Sequence, residues 1–128
     1  MKNVYYIENF NCCDVVEGSM TDKIVVMVTV GDSAEAAKLA KDLVEKKLAA
    51  CVNLVPSITS WYWWEGKVTE DQEVLLIMKS SREKFAELQK EVERLHSYAV
   101  PEIIALPIVA GSLNYLNWIE ENVKNEAV

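Results

Sequence analysis

The 128-residue sequence is short of the residues that usually do chemistry: it has one histidine, three cysteines and no cluster of polar residues spaced like a catalytic triad. It also lacks any apolar run near the roughly 20 residues needed to span a bilayer, which argues against a membrane protein. Basic charge is scarce as well. Thirteen Lys plus Arg face twenty Asp plus Glu, and the net charge of -7 would repel a phosphate backbone or an anionic membrane surface. Nucleic acid is therefore a poor partner. Three cysteines, Cys12, Cys13 and Cys51, make an odd number, and the N-terminal residues do not read as a secretion signal, so a reducing, cytoplasmic setting is the simpler expectation.

What is present is ordinary globular composition, 51% hydrophobic and 26% charged, in a length that supports one domain with a real core. Residues 1–20 read differently from the rest. They form a leader that ends in Gly18-Ser19-Met20, which is either an appended peptide or a native extension whose Val4-Tyr5-Tyr6-Ile7 has strand composition. Residues 21–125 are expected to form the domain.

Within that domain, residues 24–30 are almost all β-branched or apolar, the mark of a strand covered on both faces. Asp32 and Glu35 fit an acidic capping box, and Ala36, Leu39, Ala40, Leu43 and Val44 then line one helical face to about Lys47. A second strand is expected over 50–55. Aromatic strand formers over 59–64 lead to a hairpin turn at Glu65-Gly66 and an antiparallel return over 67–79. Ser80 with Glu83 makes another capping box, so 82–95 predicts an amphipathic helix ending at His96. A fourth strand is expected over 101–109, and Ser112 can cap a last helix. The order β-α-β-β-α-β plus a C-terminal helix is the α+β, ferredoxin-like split arrangement, with two helices on one face of a four-stranded sheet. The strands are apolar on both faces, so something must cover the other, and a second copy of the chain is the obvious candidate.

Four motifs in order carry a resemblance: Leu48-Ala49-Ala50-Cys51-Val52-Asn53, Trp61-Tyr62-Trp63-Trp64-Glu65-Gly66-Lys67, the run from Leu95-His96-Ser97-Tyr98 to Pro101-Glu102-Ile103, and Tyr115-Leu116-Asn117-Trp118. Together they resemble the CutA divalent-cation tolerance family over residues 22–122. The resemblance implies a tight homotrimer of PII-like architecture and a role in tolerance of copper and other divalent metal ions. It also implies metal ligands at Cys51 and His96, two positions expected beside the same end of the sheet. The family's third ligand would fall on Val28, which cannot bind a metal, so Glu65 or Glu102 would have to supplement the set.

Each candidate has a plainer reading. Cys51 reads more simply as a small buried hydrophobe and His96 as a helix C-cap. The aromatic run, with Trp61 and Trp63 on one face and Tyr62 and Trp64 on the other, reads as an intersubunit hairpin, since aromatics dominate interface cores. With Tyr98, these residues would rim a cleft between copies. A PII-like module that binds a small molecule or a partner protein in such clefts is the alternative function, and a stable trimeric scaffold a third. An enzyme has least support, because no activated nucleophile or acid/base pair is identifiable.

Overall fold

The computed structural model describes residues 21–125. The leader and the last three residues lie outside that range. The elements are β1 (Lys23–Val30), α1 (Ser33–Glu45), β2 (Cys51–Trp64), β3 (Lys67–Ser81), a short 3-10 turn (Arg82–Lys84), α2 (Phe85–Leu95), β4 (Ile103–Pro107) and α3 (Leu113–Val123). The sheet order is β2-β3-β1-β4, and each neighbouring pair is antiparallel. β1 and β2 are parallel but separated by β3, the split β-α-β of a ferredoxin-like fold.

Alternation in the central strands explains the layers. Ile24, Val26, Val28 and Val30 of β1 pair with Ser80, Met78, Leu76 and Val74 of β3. All eight are buried under Ala36, Leu39 and Leu43 of α1 and Leu88 and Val92 of α2. Each such aliphatic side chain contributes about 1.5–3 kcal/mol through burial. Asp32 accepts the Glu35 amide at 2.8 Å and so caps α1, while Ser112 accepts the Tyr115 amide at 3.1 Å and caps α3.

The other face is covered in part by α3. Lys23 and Cys51 alternate out of the helix-covered face, and they meet Glu120 and Tyr115 of α3. Burial pulls the Lys23 ammonium down, but its bonds to Asp22 and Glu120 outweigh that and hold it above its ordinary value. Ile119 and Val123 pack there with Ala50, Ile108 and Leu116. Farther along the same face, Val55, Ile104 and Leu106 remain exposed.

Three expectations need correction. The segments 50–55 and 59–64 are one strand, β2, interrupted by a bulge. Val55 pairs with Leu75 and Ile58 with Glu73, so Pro56 and Ser57 together face the single residue Val74. Proline has no amide to give a ladder, and Ser57 takes a left-handed φ of 65°, both suited to a bulge. The Ser80–Glu83 capping box does not form. Ser80 is buried and donates to the Leu48 carbonyl at 2.6 Å, the chain makes a 3-10 turn instead, and α2 proper begins at Phe85. Finally, the fourth strand is confined to Ile103–Pro107, which pairs with Val28–Ile24 of β1.

Candidate functional site

β1 ends at Val30, opposite Val74, so among the described residues the β2–β3 ladder beyond the bulge has no third strand. Residues 58–73 therefore project as a two-stranded arm that closes at Glu65 and Gly66, both with positive φ. Trp61, Trp63 and Val68 share one face of this arm and are 64%, 73% and 58% exposed. Tyr62 and Trp64 lie on the other, where the Tyr62 hydroxyl donates to Asp71, a bond that raises the phenol's pKa. A lone two-stranded ribbon is marginal in water, and one this apolar calls for a partner surface.

At the root of the arm, a polar cluster joins four elements. His96 follows α2, and its side chain is fully buried. Its Nε2 donates to the Thr29 carbonyl at 2.8 Å, and its Nδ1 accepts the Tyr98 amide at 3.0 Å. A carbonyl can only accept and an amide can only donate, so these partners fix the neutral ring with its proton on Nε2. Glu35 of α1 lies 3.6 Å from Nδ1, and its carboxylate accepts from both the amide and the hydroxyl of Ser97 at 2.9 Å. The Tyr98 ring packs beside the imidazole at 4.7 Å between centroids, and its hydroxyl donates to Glu73 at 2.7 Å. Burial, and then that bond, push the Tyr98 phenol far above its ordinary range. The hydroxyl also lies against Gly31, where a Cβ would sit 3.4 Å from it.

The expected ligands do not converge in one subunit. Cys51 pairs with Lys79, which pairs with Val25, whereas His96 bonds Thr29, four residues along β1. At about 3.3 Å per residue they stand more than about 13 Å apart, at opposite ends of the sheet and not at the same end. Cys51 is half-buried; its Sγ lies 3.7 Å from the Tyr115 hydroxyl, and Tyr115 stacks on Trp118. Burial, followed by the thiol contact, raises the Tyr115 phenol. Glu65 is exposed at the tip of the arm, and Glu102 is exposed just before β4. Among the described residues no three His, Cys, Asp or Glu side chains gather as a cation centre. The donors suit a soft or borderline cation, but a single subunit does not assemble them.

Sequence reasoning missed Glu73, Glu35 and Asp71. Their partners are 25, 62 and 9 positions away, and no motif spacing announces them.

A split β-α-β sheet with two helices on one face, a projecting aromatic hairpin and a buried, backbone-held histidine defines a ferredoxin-like domain. The CutA1 divalent ion tolerance protein family matches residues 24–122, and the chain belongs to that family. It is 52% identical over 98 residues to the divalent-cation tolerance protein CutA of Thermus thermophilus, a match covering 77% of this chain and 95% of that one. It is 48% identical over 101 residues to the chloroplastic CutA 1 of Oryza sativa, covering 79% of this chain but just 57% of the rice protein. The solved structure of the periplasmic divalent cation tolerance protein CutA from Archaeoglobus fulgidus superposes with a TM-score of 0.78 at 46% identity, over 80% of this chain and 99% of that one. Among the described residues no helix is long and apolar enough to cross a membrane.

Proposed function

We propose that this chain is a homotrimeric, non-catalytic protein that binds copper-type divalent cations between its copies and works in the cytoplasm. The observation that carries the reading is the exposed aromatic arm beside an incompletely covered sheet face. Among the described residues the edge strands β2 and β4 are unpaired on their outer sides and lie on opposite sides of the sheet, a geometry suited to head-to-tail docking that closes into a ring. Three copies, and the tolerance role, come from the family resemblance. In the ring, Trp61, Trp63, Trp64 and Tyr98 line the contact.

Cys51 and His96 are the preferred ligands, since thiolate and imidazole favour copper or zinc over calcium or magnesium; Glu65 and Glu102 supplement them. Because one copy keeps them apart, this reading requires a second copy to complete each site. Ligation by His96 requires Nδ1 to release the Tyr98 amide, so cation binding and the conformation of Tyr98 are coupled. The non-catalytic part of the reading is supported by a lone histidine whose two nitrogens are both committed to backbone groups. The cytoplasmic assignment is supported by the free thiol of Cys51.

Sedimentation and calorimetry with copper and zinc test this on the wild-type chain, Trp63→Asp, Cys51→Ala and His96→Ala. The wild-type chain is expected to sediment as three copies at micromolar concentration. Trp63→Asp should dissociate it and abolish cation binding together. A monomeric wild-type chain, an affinity weaker than about 1 mM, or binding that both ligand substitutions leave unchanged would overturn the reading.

A further inference from the structure

The arm that carries the aromatic face is braced along its length and weak at its root. On one face the Tyr62 hydroxyl donates to Asp71, and on the other the Gln72 side-chain amide donates to the Thr59 hydroxyl at 2.8 Å. Thr59 stands directly opposite Gln72, and Tyr62 stands diagonal to Asp71, so both bonds tie one strand of the ribbon to the other. At the root the support gives out. β1 ends opposite Val74, and Pro56 has no amide to donate to a ladder. Ser57 holds a left-handed φ of 65°, which costs any residue that carries a Cβ. Among the described residues, the ribbon therefore joins the sheet through the bulge on β2 and through Glu73 and Val74 on β3.

One side chain bridges that root. Tyr98 belongs to neither strand of the arm; it lies in the loop after α2, and its hydroxyl donates to Glu73 at 2.7 Å. Its own position is fixed from several directions. Its amide bonds His96 Nδ1 at 3.0 Å, and its ring packs beside the imidazole and Gly31. His96 is bonded in turn to Thr29 of β1, and Ser97 is held through its amide and its hydroxyl by Glu35 of α1. The base of the contact thus belongs to β1 and α1, and its tip to the arm. Glu73 is buried, so the bond is made away from bulk water, where it is stronger than an exposed one.

We propose that the aromatic arm is a stiff lever, hinged at Pro56 and Ser57 and latched by Tyr98, whose bond to Glu73 fixes the angle at which Trp61 and Trp63 are presented. With the latch closed the arm is preorganised, and a partner surface need not order it on docking. With the latch open the ribbon keeps its two braces and swings about the bulge. Losing one hydrogen bond to a charged group raises the unlatched fraction by about tenfold or more. The latch lies within one chain, so it goes beyond the trimeric reading and does not rest on it.

Residual dipolar couplings of the backbone amides, measured on the isotope-labelled full chain, test this. Trp63→Asp serves as the background, so that no neighbouring copy holds the arm in place. There the amides of residues 58–64 and 67–72 are expected to share one alignment frame with β1 and the rest of β3. Adding Tyr98→Phe should detach them: the arm couplings shrink together and fit a frame of their own, while those of the sheet keep theirs. Adding Glu91→Gln instead, which weakens an ion pair on α2 away from the arm, should leave the arm on the sheet's frame. An arm that is off that frame with Tyr98 intact, that stays on it after Tyr98→Phe, or that Glu91→Gln detaches equally overturns the proposal. Sedimentation reads mass alone, so a monomeric wild-type chain with a latched arm would overturn the trimeric reading and support the latch.

Discussion

Replacing Tyr98 by Phe removes one oxygen and leaves the ring where it packs, beside His96 and Gly31. No cavity opens, so the effect isolates the hydroxyl's bond to Glu73. Glu73 is 7% exposed, and without its 2.7 Å donor its carboxylate sits desolvated at the root of the arm. Hydrogen bonds to charged groups contribute about 1.5–3 kcal/mol, and Tyr98 is itself partly exposed, so the expected loss lies at the low end, about 1.5 kcal/mol. Urea unfolding at fixed protein concentration should show a lower midpoint with an unchanged slope. Because Tyr98→Phe leaves an unpaired carboxylate, Glu73→Met in the same chain should recover much of the loss, giving a coupling of about 1 kcal/mol in a double-mutant cycle. The alkaline limb supplies a second readout. The phenol's folded pKa is raised, so its contribution is complete below the ordinary tyrosine value of about 10 and fades as pH rises above it. Tyr98→Phe should flatten that limb. A loss under about 0.5 kcal/mol with no coupling to Glu73 would refute the reasoning.

Two further substitutions probe the helix layer and the arm. Glu91 is held well below the ordinary carboxylate range by its bonds to Arg94 and Lys46, so its stabilisation is present above about pH 4.3 and lost as pH falls further. Glu91→Gln should accordingly lower the urea midpoint at pH 7 and converge on the wild-type chain in acid; a pH-independent difference would contradict this. At the tip of the arm, Glu65 and Gly66 have φ of 51° and 81°, the pattern of a turn that prefers Asn-Gly. Glu65→Asn is expected to stabilise the chain by about 0.5–1 kcal/mol, read as a higher melting temperature, and an unchanged or lower value would show that the turn is not strained.

How much of this was legible in the sequence depended on distance along the chain. β1 and the core of β3 were legible because unbroken β-branched and apolar runs admit few other conformations. The caps at Asp32 and Ser112 were legible because capping is settled within three residues. The Glu65-Gly66 turn is local in the same way. The Ser80–Glu83 box had the same local signature and failed, because the Leu48 carbonyl, 32 residues away, claimed the Ser80 hydroxyl. The bulge at Pro56 and Ser57 was hidden for a related reason: it is defined by what β3 presents opposite, and β2 alone reads as two segments.

The candidate site divides along the same line. Composition alone established an acidic chain with one histidine, and the spaced motifs pointed to the family. Only the tertiary structure decided that Cys51 and His96 sit at opposite ends of the sheet, since strand register sets where each residue falls along β1. It also decided that His96 is bound through both ring nitrogens, to Thr29 from β1 and to the Tyr98 amide. Tyr98 reaches Glu73, and Glu35 reaches Ser97, only because the sheet and α1 bring residues distant in sequence within hydrogen-bonding range. Periodicity reports which face of an element is apolar, and so it determined the layers. Which polar groups meet across those layers depends on register and loop path, which the pattern of a single element does not contain.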